Sequence, residues 1–197
     1  MEENRFVKRY KEGEIPWYTG RADYNLINCI DNYLILKCKT LELGCGTGDN
    51  AVWLSQQGFE VSAFDLSEIA INQAKGKAIE MGVNVNFFVV DFFKDKIKGA
   101  PFEFIFDRGV FHSFDEENER NQFAESVAEH LESNGLWLSL IGSADETREG
   151  HGPPRRSLYN VISAVEPYFK ILSIKAGTFD SLDKIPPKIW ICLLQKR

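Results

Sequence analysis

The chain has 197 residues, enough for one domain with a full core, and it is 44% hydrophobic and 26% charged, the balance of an ordered globular protein. A net charge of −6 argues against a nucleic-acid partner. No signal core follows Met1 and no apolar run reaches membrane-spanning length, so a cytoplasmic protein with no membrane partner is expected. The four cysteines, Cys29, Cys38, Cys45 and Cys192, lack CxxC spacing; they read as reduced thiols, and no metal site is expected.

Residues 1–13 are charged, with Phe6, Val7 and Tyr10 at helical spacing, which predicts a short amphipathic helix. Ile15 to Arg21 follows as a loop punctuated by Pro16 and Gly20. Trp17 in this loop has two readings, a plug at the end of the sheet or a lid over a ligand. Ala22 to Lys37 reads as a helix with Leu26, Ile27, Ile30, Leu34 and Ile35 on one face and Asp23 serving its first turn.

Thr40 to Leu43 is the first strand, and it runs into Gly44-Cys45-Gly46-Thr47-Gly48. Glycines at alternate positions let the chain turn sharply and let a flat ligand lie against the main chain. Glu42 precedes them at the carboxyl end of the strand, the edge where open α/β sheets bind ligands. A phosphate loop requires Lys-Ser/Thr after its last glycine, and Asp49-Asn50 stand there instead. A nicotinamide dinucleotide site is disfavoured too, because the pattern is Glu-x-Gly-x-Gly-x-Gly rather than GxGxxG. Acidic residues beside the turn suit a cationic ligand.

Asn50 to Gln57 is the next helix, capped by Gly58, and Glu60 to Asp65 the second strand. Asp65 lies about 20 residues beyond the turn, where a carboxylate accepts from ribose hydroxyls. Ser67 is itself a good helix cap, which leaves Asp65 to a ligand. Ser67 to Met81 is a helix with Ile69, Ala70, Ala74, Ala78 and Met81 inward. Val85 to Val90 is apolar apart from Asn86, as for a strand covered on both faces, and it ends in Asp91-Phe92-Phe93.

Phe102 to Asp107 is the fourth strand and leads into Asp107-Arg108-Gly109-Val110-Phe111-His112. Arg108 is compatible both with a salt bridge to Glu42 or Asp107 and with a ligand role; His112 is a structural residue or a base. Asp115 to Leu131 is a helix burying Phe123, Val127, Ala128 and Leu131, ended by Asn134-Gly135. Leu136 to Ile141 is the fifth strand. The polar loop 142–156 then reads either as a solvated loop or as a lid or substrate reader, with His151, Arg155 and Arg156 gripping an anionic or polar substrate. Ser157 to Val165 is a helix, and Tyr168 to Thr178 and Ile189 to Gln195 are strands that, lacking a helix between them, pair antiparallel.

The glycine turn resembles motif I of the class I S-adenosylmethionine-dependent methyltransferases, and the resemblance covers about Leu36 to Lys196. Pro16-Trp17-x-x-Gly20-Arg21, Asp107-Arg108-Gly109 with His112, and Gly152-Pro153-Pro154 resemble the thiopurine, thiol and halide methyltransferase branch. This implies an α/β Rossmann-like sheet of seven mostly parallel strands, order 3-2-1-4-5-7-6 with strand 7 antiparallel and helices on both faces. It also implies a single domain over 1–197, with 1–37 as N-terminal lid and first helix and 38–197 as cofactor-binding core. S-adenosyl-L-methionine would be the cofactor and S-adenosyl-L-homocysteine its product. The implied cofactor residues are Trp17, Arg21, Glu42, Gly44, Gly46, Gly48, Asp65, Leu66, Asp91, Phe92, Asp107 and Arg108, with Asp91 and Phe92 on the adenine. Arg108, His112, His151 and Arg155 are the implied substrate residues, with His112 as base where the acceptor needs one. The expected reaction is in-line methyl transfer to a small thiol, chalcogen, halide or amine, in a monomer or weak homodimer. The alternative is a non-catalytic sensor or assembly subunit that binds the same cofactor.

Overall fold

A computed structural model describes residues 4–95, 97–149 and 152–197. Seven strands form one sheet in the order β3-β2-β1-β4-β5-β7-β6. The elements group into two compact units, Met1–Ile97 and Lys98–Arg197.

The first unit holds α1 (Arg5–Glu12), α2 (Tyr24–Tyr33), β1 (Lys39–Leu43), α3 (Asp49–Gln56), β2 (Glu60–Asp65), α4 (Glu68–Glu80) and β3 (Val85–Val89). β1 pairs parallel with β2, and β2 with β3. α2 is shorter than its apolar spacing suggests. Leu34 adopts φ 50 and closes the helix, so its side chain is exposed rather than part of the stripe. The buried face is Asn25, Leu26, Cys29 and Ile30. On α4 the inward face is Ala70, Ile71, Ala74 and Ala78, while Met81 lies exposed at the C-cap. β3 is not covered on both faces: it is the edge of the sheet, and Val89 is exposed.

The second unit holds β4 (Phe102–Arg108), a 3-10 turn (Phe111–Ser113), α5 (Glu117–His130), β5 (Leu131–Gly142), α6 (Leu158–Val165), β6 (Phe169–Thr178) and β7 (Lys188–Lys196). β4 and β5 are parallel; β7 is antiparallel to both β5 and β6. α5 passes into β5 at Leu131 without a loop. Asn134 and Gly135 therefore do not end the helix; they lie inside β5, where the register slips between Phe102↔Leu131 and Phe104↔Leu136. Asn134 takes up the slip at φ 64, a conformation that asparagine tolerates better than most residues. The core centres on Trp137, fully buried against Phe111, Phe123 and Phe169 at ring separations of 5.2–6.2 Å. Among the described residues, which include all four cysteines, there is no disulfide. Among the described residues no helix is long and apolar enough to cross a membrane.

Candidate active site

In the first unit β1 delivers Glu42 to its carboxyl end with 1% exposure. One carboxylate oxygen accepts the Asn50 amide at 2.9 Å, and Asn50 in turn accepts the backbone N–H of Asp23 at 2.8 Å. The other oxygen, Oε2, is buried with no hydrogen-bond partner among the described residues. Burial raises the Glu42 pKa to about 8, beyond what the Asn50 hydrogen bond offsets. A buried carboxylate oxygen without a donor is a place for a cation.

The glycine turn needs its glycines for different reasons. A Cβ on Gly46 would meet the Tyr10 hydroxyl at 2.7 Å. Gly48, at φ 80, caps α3, and a Cβ there would lie 2.8 Å from the Ala74 Cβ. The third glycine thus serves helix packing. Gly44 is half-buried at φ 62.

Asp65 is not spared from local work as Ser67's cap suggested. Its Oδ1 accepts the Ser67 N–H and its Oδ2 the Gly46 N–H, both at 2.9 Å. It clamps the turn to the start of α4, and burial raises its pKa. Each oxygen retains a further lone pair for a ribose hydroxyl. Leu66 beside it is exposed, an apolar surface of the kind a flat ring covers.

Asp91 also works locally: it accepts the Phe93 N–H at 3.2 Å and pairs with exposed Lys94 at 2.5 Å. An exposed pair of this kind exchanges readily. Phe92 stacks on Phe64 with centroids 5.7 Å apart. Trp17 packs edge-on against Phe6 and Tyr10 and donates its indole N–H to the Tyr10 hydroxyl at 3.0 Å. Arg21 is exposed. Lys77 of α4 pairs with Asp49 and sits 5.4 Å from the Tyr18 ring, tying the N-terminal loop to the turn.

In the second unit the Asp107 carboxylate is taken up by local structure. It is fully buried, with Oδ1 accepting the Val110 and Phe111 N–H groups and Oδ2 the Trp137 indole at 2.9 Å. Burial raises its pKa to about 6. Its carboxylate holds the turn after β4. It does not pair with Arg108, whose guanidinium lies 4.9 Å over the Phe179 ring and donates to the Asp180 carbonyl.

His112 is 6% exposed, and its Nδ1 accepts the Gly142 N–H at 2.8 Å. This fixes the neutral tautomer with the proton on Nε2. His112 also meets the edge of Phe179, at 6.0 Å. A Cβ on Gly109 would lie 3.0 Å from the His112 Cε1 and Nε2, so a side chain there would crowd that edge of the ring.

The loop after β5 is stitched down. Ser143 bridges Arg156, and Arg156 holds Asp115. Glu146 accepts from the backbone of Arg148 and Lys188 and from the Arg148 guanidinium. Although burial pushes its pKa up, these bonds hold it down at about 2. Arg155 is exposed and donates to the Arg148 carbonyl. His151 lies outside the described residues.

Sequence patterns missed Tyr10, Asn50 and Phe179. Asn50 adjoins the turn, and Tyr10 shares a helix face with Phe6; nothing local marks Phe179.

The thiopurine S-methyltransferase family model matches residues 1–175. The chain belongs to the thiopurine S-methyltransferase family. Membership in this family makes the protein an S-adenosylmethionine-dependent methyltransferase of the class I fold, with S-adenosyl-L-methionine as cofactor. Thiocyanate methyltransferase 1 of Brassica oleracea is 28% identical over 185 residues, covering 91% of this chain and 79% of its own. A probable thiol methyltransferase 2 of Arabidopsis thaliana is 28% identical, covering 84% and 70%. A structure solved in a study of disulfide-to-thioacetal conversion during echinomycin biosynthesis superposes with TM-score 0.81 at 21% identity, covering 97% and 90%. The first unit suits the family's cofactor: the orphaned Glu42 oxygen fits its ammonium, and exposed Leu66 beside Asp65 fits its nucleoside.

Proposed function

We propose that the enzyme methylates a small, soft nucleophile that arrives already anionic: a thiolate, hydrosulfide, heavier chalcogen or halide. S-adenosylmethionine supplies the methyl group on a sulfonium, and its loss leaves the neutral thioether S-adenosylhomocysteine. Glu42 takes the ammonium, Asp65 the ribose, and Leu66, Asp91 and Phe92 the adenine. Arg108 and His112 receive the acceptor.

The observation that carries this reading is the wiring of His112. Its accepting nitrogen is committed to the Gly142 N–H, so the ring presents a donor, Nε2–H, rather than a base. Arg108 packs on the same Phe179 and carries a permanent positive charge. Two donors on one aromatic ring favour an anion, and a thiolate or halide gives up no proton when it attacks. The names of the thiocyanate and thiol methyltransferase relatives agree in chemistry. An amine acceptor would require a proton sink that His112, held this way, does not provide.

The test is S-adenosylhomocysteine release with hydrosulfide, thiocyanate, iodide and a simple thiol, against a phenol and an amine. Turnover is expected with the soft anions, at a rate that follows the ionised fraction of the acceptor. Preferential turnover of phenol or amine, with a histidine-like pH limb abolished by His112→Gln, would refute it.

A further inference from the structure

Two arginines converge on one residue just past His112. Arg120 of α5 is 6% exposed and donates to the Phe114 carbonyl at 3.1 Å and to the Asp115 carbonyl at 2.6 Å. Arg156 donates to the Asp115 carboxylate; its own side chain is 11% exposed and that of Asp115 72%. Each arginine leaves its Nε–H buried with no hydrogen-bond partner among the described residues. A buried donor left unmet is costly, and an ion pair with one exposed member returns little stability. Such a pair is better suited to fixing geometry than to adding stability.

What it closes is a ring of bonds around His112. The Arg156 N–H donates to the Gly142 carbonyl at 2.8 Å, and the Gly142 N–H donates to His112 Nδ1, also at 2.8 Å. From His112 the chain runs three residues on to Asp115, whose carboxylate returns to the Arg156 guanidinium. The Arg156 carbonyl is held as well, by the Ala144 N–H at 2.9 Å and the Trp190 indole N–H at 3.0 Å. Arg156 is thus anchored to β5 and β7 through its main chain, and its side chain is the part that reaches the His112 turn.

We infer that Arg156 is a positioning residue for His112: its pairing with Asp115 holds the His112 turn against the end of β5, so that the Gly142 N–H stays on Nδ1 and the ring keeps its proton on Nε2. Arg120 supports the pair by fixing the Asp115 main chain. Arg156 then acts through His112 and does not itself grip the acceptor. The inference rests on the reading of His112 as a donor, and the experiment separates the two.

Proton–nitrogen correlation spectra of the histidine rings report which ring nitrogen carries the proton. They are recorded on wild type, Asp115→Ala, Arg156→Met and the double variant, with the His112 signal assigned by its loss in His112→Gln. Methylation rates with hydrosulfide and calorimetry with S-adenosylhomocysteine accompany them. Wild type should show His112 protonated on Nε2. Both single variants should shift towards Nδ1–H, and their kcat/KM for hydrosulfide should fall about two- to fivefold, the range for one partly exposed ion pair. Their S-adenosylhomocysteine affinity should stay within about twofold, which also shows that they fold. The double variant should be no worse than the singles, because one interaction is lost in each case. Asp115→Asn keeps an acceptor oxygen and should restore part of the loss. The inference falls if either the tautomer or the rate stays as in wild type once the pair is broken, or if the two losses add. A wild-type ring protonated on Nδ1 would overturn the donor reading of His112, and this inference with it.

Discussion

Replacing Glu42 by Gln should make the protein more stable and a poorer cofactor binder. The native carboxyl titrates at about 8, against an ordinary value of 4.5. The folded state therefore holds its proton at pH values where the unfolded chain has released it. Stability falls as pH rises from about 4.5 to about 8 and levels off above that. At pH 7 the gap to 4.5 is worth about 3 kcal/mol, at roughly 1.4 kcal/mol per pH unit. Glutamine stays neutral and still accepts from Asn50, so that penalty disappears. Its amide nitrogen replaces the orphaned Oε2 and buries donors of its own, which costs about 1–2 kcal/mol. The net gain is on the order of 1–2 kcal/mol, or about 5 °C in melting temperature for a domain of this size. Thermal unfolding of the apoprotein from pH 5 to pH 9 should show the two proteins closest at the acid end, separating as pH rises to about 8 and holding a constant gap above that. In calorimetry, S-adenosylhomocysteine binding to wild type near pH 7.5 should release a proton, seen as a buffer-dependent enthalpy, because the ammonium ionises Glu42. Glu42→Gln should show no such release and bind about tenfold or more weakly, as expected for a lost charged contact. Equal pH slopes of stability in both proteins would mean that the carboxylate is solvated, and the reasoning would fail.

Gly48→Ala should lower stability by about 2–4 kcal/mol, combining left-handed strain with overpacking against Ala74, and differential scanning calorimetry measures it. Gly109→Ala, at φ 89, puts a methyl group over the His112 Nε2 edge; turnover should drop several-fold by steric exclusion while S-adenosylhomocysteine affinity stays within about twofold, since a methyl in a filled space acts locally. Glu146 has a depressed pKa, so its contribution is complete above 4.5 and is lost as pH falls towards 2. Protection against hydrogen exchange at the Arg148 and Lys188 amides, taken relative to the intrinsic rate at each pH, should fall over that window in wild type and should be low throughout in Glu146→Gln.

The sheet order was legible because alternating strand and helix patterns, closed by two strands without a helix between them, leave few arrangements. The turn was legible because its glycines are adjacent in sequence. What escaped were facts of three-dimensional neighbourhood. Leu34 fits the α2 stripe by spacing, but a left-handed residue ends the helix before spacing counts. Asn134-Gly135 has turn chemistry, and β5 absorbs it as a register slip. Asp107 looks like a ligand residue from its place at a strand end, yet Trp137, thirty positions later, claims its carboxylate. The tautomer of His112 depends on Gly142, equally distant in sequence. Conversely, the acidic character of Glu42 and Asp65 was visible at once, and the structure adds only how each is held.

The most direct test is calorimetric titration of S-adenosylhomocysteine and NAD into wild type and Asp65→Asn. Asparagine keeps the shape of Asp65 but loses the charge and one acceptor oxygen of the clamp between Gly46 and Ser67. The account predicts one-to-one binding of S-adenosylhomocysteine by wild type, at least about tenfold weaker binding by Asp65→Asn, and no uptake of NAD by either. Preference for NAD, or equal S-adenosylhomocysteine affinity in both proteins, would contradict it.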